Sequence, residues 1–75
     1  MDEMILSQIK NITGVRVEEC ADGIINVFAD GIYAFTTAKK TLTENGFTVY
    51  GYQKSQFAGF SVCDKDYRTV ARLHY

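Results

Sequence analysis

The chain predicts an α+β fold, a two-layer sandwich in which two helices cover one face of an antiparallel sheet of five or six strands, in the order α-βββ-α-ββ(β). Three observations predict it. Two stretches with helical apolar spacing each run into a glycine, Gly14 and Gly46. Short apolar runs follow each stretch, and the first of them are parted by Asp22-Gly23 and Asp30-Gly31, a dipeptide that tolerates the positive φ of tight hairpins. Aromatic residues make up 13% of the chain, five Tyr and five Phe, which suits strands.

Asp2 to Ile12 reads as the first helix, with Met4, Ile5, Ile9 and Ile12 as its apolar face and Leu6 at the edge. Asp2 and Glu3 sit where the helix dipole favours negative charge, and Lys10 sits near the opposite end. Three runs follow, Val15 to Cys20, Ile24 to Phe28 and Ile32 to Phe35, and they predict an antiparallel meander. A competing reading starts the second helix at Asp30 and removes the third strand.

The second helix is expected over Thr36 to Gly46, led in by Phe35. Ala34, Phe35, Ala38 and Leu42 share one stripe, and Lys39, Lys40, Thr43 and Glu44 lie opposite. Thr36 or Thr37 can cap its start, and Asn45-Gly46 is its stop. Its apolar stripe is thin, so the sheet beneath must supply most of the core.

Phe47 to Tyr52 and Phe57 to Cys63 read as strands around a polar turn. Gly51 and Gly59 within them mark bulges or a close backbone approach. After the Asp64-Lys65-Asp66 turn, the alternation through Tyr67, Thr69, Ala71, Leu73 and Tyr75 favours a last strand, although Tyr67, Val70, Ala71 and His74 also fit a helix face. Helix, glycine and meander thus occur twice, and an internal duplication is one explanation of that pattern.

With 75 residues the chain is expected to form a single compact domain that buries only about 60% of its unfolded surface. An apolar content of 47% and a charged content of 23% are globular values, which argues against disorder. The net charge of -1 gives no strong attraction to nucleic acid or anionic membrane. No apolar run approaches the roughly 20 residues of a membrane span. Cys20 and Cys63, with no secretory signal before them, read as reduced thiols of a cytoplasmic protein.

No motif for catalysis, metal or nucleotide is legible, so no enzyme activity and no cofactor are expected. His74 is the only histidine and lies next to the C-terminus, the two cysteines lack paired spacing, and the glycines are scattered singly. Asp64 with Asp66, and Glu18 with Glu19, are explained by a solvated turn and by strand alternation.

The remaining candidate is the outward face of the sheet. If Val17, Ile25, Val27, Phe47, Val49, Phe60 and Val62 point inward, alternation sends Arg16, Glu18, Ile24, Asn26, Phe28, Thr48, Tyr50, Tyr52, Phe57 and Ser61 outward. A strand at the tail adds Arg68, Arg72 and His74. So many rings and guanidinium groups on one face predict an interface, with Arg16, Phe28, Tyr50, Tyr52, Phe57, Arg68 and Arg72 as its partner-binding residues. The expected partner is a protein, and a homodimer is one form of that. The alternative is single-stranded nucleic acid stacked on Tyr50, Tyr52 and Phe28, which the acidic neighbours Glu18, Asp64 and Asp66 disfavour.

The junction Phe35-Thr36-Thr37-Ala38 is similar to the strand-to-helix junction of small β-sheet DNA-binding and double-stranded-RNA-binding modules, without their basic contact residues. No functional residue is carried over from them. In size and type, though not in motif, the chain resembles small inhibitors encoded by phages and other mobile elements, including anti-CRISPR proteins. That resemblance implies inhibition of a larger nucleic-acid-processing complex.

Overall fold

The computed structural model describes the backbone of residues 1–20, 22–54 and 57–75, and the side chains of all of these except 52–54, 57 and 58. It is a small α+β domain with elements α1 (Glu3–Lys10), β1 (Val15–Glu19), β2 (Ile25–Ala29), α2 (Ile32–Glu44), β3 (Thr48–Lys54), β4 (Phe57–Cys63) and β5 (Thr69–His74).

Asp2 caps α1, its carboxylate accepting from the Met4 backbone N–H at 2.7 Å. Leu6 and Ile9 are buried, and Ile5 and Ile12 pack beside them, whereas Met4 is 73% exposed. The expectation that Met4 lies on the apolar face is corrected by helix geometry. At 100° per residue Leu6 and Ile5 fall within about 60° of Ile9, and Met4 falls about 140° away.

The expected third strand is the first turn of α2. Ile32 to Phe35 is apolar enough for a strand, but Ala34, Ala38 and Leu42 continue one helical stripe, and all three are buried. The helix therefore starts at Ile32 behind Gly31, with no side-chain cap, and the threonines stand within it. The Thr37 hydroxyl donates to the Tyr33 carbonyl at 2.7 Å. Gly14 lets the α1–β1 turn approach this helix: its φ is +84°, and a Cβ there would stand 3.2 Å from the Ala34 Cβ. With two strands in the first half and three in the second, the repeated helix–meander pattern is not what the chain forms.

The sheet is mixed, in the order β1-β2-β5-β4-β3. Every neighbouring pair is antiparallel except β2 and β5, which correct the expectation of a wholly antiparallel sheet. The cause is α2. A helix between two strands carries the chain back to the end it left, so β3 runs the same way as β2. Two reversals later β5 shares that direction, and it fills the gap beside β2.

Ile25, Val27, Ala29, Val62, Ala71 and Leu73 join Leu6, Ile9, Ala34, Ala38 and Leu42 in one core, with Val15, Val17, Phe47, Val49 and Phe60 packed against it. They include all seven sheet residues expected to face inward, and Val15, Ala29 and the β5 residues Ala71 and Leu73 join them. Gly51 stands opposite Phe60, where an added Cβ would meet the ring at 3.1 Å. The register shift lies at Val62 and Cys63, rather than at either strand glycine among the described pairings.

Candidate functional site

The face of the sheet opposite the helices is built from alternate residues of five strands. Register aligns them into two adjacent rows. Arg16, Phe28, His74, Gly59 and Tyr52 follow one another across β1, β2, β5, β4 and β3. Glu18, Asn26, Arg72, Ser61 and Tyr50 form the next row.

The first row has the closer contacts. The Arg16 guanidinium carbon lies 4.6 Å from the centroid of the Phe28 ring. His74 stacks on the same ring at 4.7 Å with 15° between the planes. Because β1 and β5 flank β2 on opposite sides, Arg16 and His74 take opposite faces of Phe28. Arg16 also pairs with Glu18, two residues along the same face.

Asn26 joins the rows. Its Nδ2 donates to Cys20 Sγ at 2.9 Å, and its Oδ1 stands 3.0 Å from His74 Nε2. With the amide turned this way, Nε2 carries the proton and donates to Asn26, leaving Nδ1 as the acceptor of a neutral ring. Burial holds the His74 pKa below the ordinary imidazole value, and the positive charge of Arg72 lowers it further. Arg72 is half-buried and Tyr50 is 44% exposed.

Of the residues expected to bind a partner, Arg16, Phe28, Tyr50 and Arg72 share this face. Tyr52 lies on β3 and Phe57 on β4, and their side chains fall outside the described residues. Arg68 does not join the face in the expected way. It stands in the turn before β5, and the register shift gives the outward place to Thr69, whose hydroxyl meets Ser61 Oγ at 3.1 Å and Cys63 Sγ at 3.8 Å.

Asp64 organises that turn, its carboxylate accepting from the backbone N–H groups of Asp66 and Arg68. Both cysteines are free thiols. Cys63 is buried, but Cys20 is half-buried at the hairpin end of β1, where it meets Asn26 rather than the core.

Sequence reasoning undervalued His74 and Asn26. Their alternation with Arg72 and Phe28 was visible, but only the parallel register of β2 and β5 sets His74 against Phe28. It also missed a second apolar surface on the helix side. There Phe35 contacts both Phe60 and Tyr75, and with Ile32 they line a hollow of about 200 Å³.

Among the described residues there is no cluster of three or more His, Cys, Asp or Glu side chains able to hold a metal, and no helix is long and apolar enough to cross a membrane. Comparison of the chain with protein-family models, curated proteins and solved structures finds no match.

Proposed function

We propose that the protein is a non-enzymatic binding module that engages a protein partner through the outer face of its sheet. The observation that carries this reading is the pairing of the Arg16–Phe28–His74 stack with Arg72 and Tyr50 in the adjacent row. Aromatic and guanidinium groups on a pre-ordered surface are the usual anchors of protein interfaces. The stack fixes Phe28 and Arg16 before any partner arrives, so less side-chain entropy is lost on binding.

Single-stranded nucleic acid is the weaker alternative. A base needs a free ring face to stack on, and both faces of Phe28 are taken. The chain also lacks the positive excess that phosphates require. The setting we infer is inhibition of a larger machine, and it rests on the resemblance in size and type to phage-encoded inhibitors.

The test is affinity capture from the native host with wild-type chain, Tyr50→Ala, Arg72→Glu and a helix-side control, Lys39→Ala. The reading expects a stoichiometric partner held by the wild type and by Lys39→Ala but lost by both face variants, with thermal midpoints within a few degrees of one another. A partner lost only with Lys39→Ala would refute it. So would a low-salt gel shift with a single-stranded oligonucleotide that Tyr50→Ala abolishes.

A further inference from the structure

We propose that β1 is a self-association edge, pairing antiparallel with the β1 of a second copy about a two-fold axis through Val17. This goes beyond the open-face reading, because it uses the rim of the sheet and does not depend on what the face binds.

β1 is one of the two outermost strands. Two ladder bonds fix which of its backbone groups are unpaired. Cys20 N–H donates to the Ile24 carbonyl at 3.2 Å, and Asp30 N–H donates to the Gly14 carbonyl at 2.8 Å. In an antiparallel ladder such pairs recur at every second residue. The even-numbered residues of β1 therefore turn their N–H and C=O groups toward β2. Val15, Val17 and Glu19 turn theirs outward. Val15 N–H is taken by the Ile12 carbonyl at 3.2 Å. Among the described residues the Val15 carbonyl and both groups of Val17 and of Glu19 remain for a neighbouring strand.

Self-pairing must match odd residues with odd ones, or the side chains would land on opposite faces. An axis through Arg16 or Glu18 also matches odd with odd but sets that charge directly against its own copy, one through Glu19 does the same with Glu19, and one through Val15 leaves almost no overlap. The axis through Val17 satisfies every constraint. Val17 exchanges both its hydrogen bonds with Val17 of the copy, and Glu19 N–H meets the Val15 carbonyl.

Arg16 then stands opposite Glu18 of the copy, and Glu18 opposite Arg16. They form a non-hydrogen-bonded pair, the kind in which side chains approach most closely. Within one chain Arg16 already reaches Glu18. The two-fold sets a second such pair alongside with opposite sign at every contact. Charges that would blunt an edge against a random strand are thus complementary to themselves. The outer faces of both copies run on into one surface, with the two Phe28 stacks on either side of the axis.

Five residues of edge bury little area, so the dimer is expected in the micromolar to millimolar range. Sedimentation of wild-type chain across that range tests it, alongside Arg16→Glu, Glu18→Arg and their equimolar mixture. Each variant alone sets like charges across the axis and within the strand, and its self-association should fall about tenfold. The mixture restores opposite charges only between chains, so it should recover dimer while each component remains weak.

Amide exchange on the wild type gives a readout that needs no variant. Val17 and Glu19 should slow as concentration rises, and the amides of β3 should not. A wild type that stays monomeric to millimolar concentration overturns the proposal. So does a dimer indifferent to Arg16→Glu, a mixture no better than its parts, or concentration-dependent protection at β3 in place of β1.

Discussion

Phe28 and His74 lie face to face, 4.7 Å between centroids, because β2 and β5 run side by side in the same direction. The contact places the chain's single histidine on a half-buried ring, beside Arg72 and against Asn26.

His74 is held mainly neutral by burial, and next by the charge of Arg72. Its pKa in the fold lies below the value of about 6.5 that it takes when unfolded. Between the two values the unfolded chain binds more protons. Stability is therefore full above about 6.5, falls as pH drops through the window, and levels off below the folded pKa. Chemical denaturation of wild type and His74→Gln from neutral to mildly acidic pH should give a steeper loss for the wild type. An imidazole titration by NMR should have its midpoint below 6.5, and Arg72→Gln should raise it only in part. A wild-type midpoint above 6.5 would contradict the arrangement.

The guanidinium on the other side of Phe28 should be measurable as a coupling. In a double-mutant cycle of Arg16→Ala and Phe28→Ala, the interaction is expected at about 0.5 to 1 kcal/mol, the range for exposed cation–π pairs. The pairing of Arg16 with Glu18 is exposed at both ends, and the matching cycle should give a smaller coupling in ordinary salt. A larger Arg16–Glu18 value would make the carboxylate, not the ring, the group that positions Arg16.

The two helices and the inward residues of β1, β2, β3 and β4 were legible because apolar spacing repeats at the period of each element. Ile32 to Phe35 was not. Four apolar residues fit a strand and a helix equally well, and the burial of Ala34 depends on Gly14, distant in sequence. The parallel contact of β2 with β5 was hidden for another reason. It depends on the order in which strands dock, a long-range property that no local pattern records. Arg68 was misplaced by a single register shift, which alternation cannot foresee.

Gly14 and Gly46 both have positive φ, +84° and +89°, but differ in what surrounds them. A methyl at Gly46 meets nothing within 4 Å, whereas one at Gly14 meets Ala34 at 3.2 Å and the Asp30 carbonyl at 3.4 Å. Gly46→Ala should cost about 1 kcal/mol through backbone conformation alone. Gly14→Ala adds the crowding and should cost about 2 to 3 kcal/mol. Denaturant midpoints of the two variants decide it, and equal losses would remove the packing role given to Gly14.

Leu42 is fully buried and anchors the last turn of α2, while Met4 on α1 faces solvent. Leu42→Ala should destabilise by about 2 to 5 kcal/mol. Met4→Ala should stay within about 0.5 kcal/mol of the wild type. Fluorescence or circular-dichroism melts in urea suffice, and a costly Met4→Ala would restore the apolar face first read from the sequence.

Tyr67 breaks a local rule. Its φ is +61° at the end of the turn that leads into β5, and its side chain is 80% exposed. Its N–H donates to the Asp64 carbonyl, and Asp64 N–H donates to the Arg68 carbonyl. That loop geometry favours glycine at this place. A side chain there costs about 1 to 2 kcal/mol, and an exposed ring regains little of it by packing. Glycine gives back part of the difference through the freedom of the unfolded chain, about 0.5 to 1 kcal/mol. Tyr67→Gly should therefore stabilise the fold by about 0.5 to 1 kcal/mol, read as a higher denaturant midpoint at unchanged slope. A loss of stability would mean that the ring packs against the fold in solution. A gain in stability joined to a loss of partner capture would mean that the strained turn is retained to present the ring.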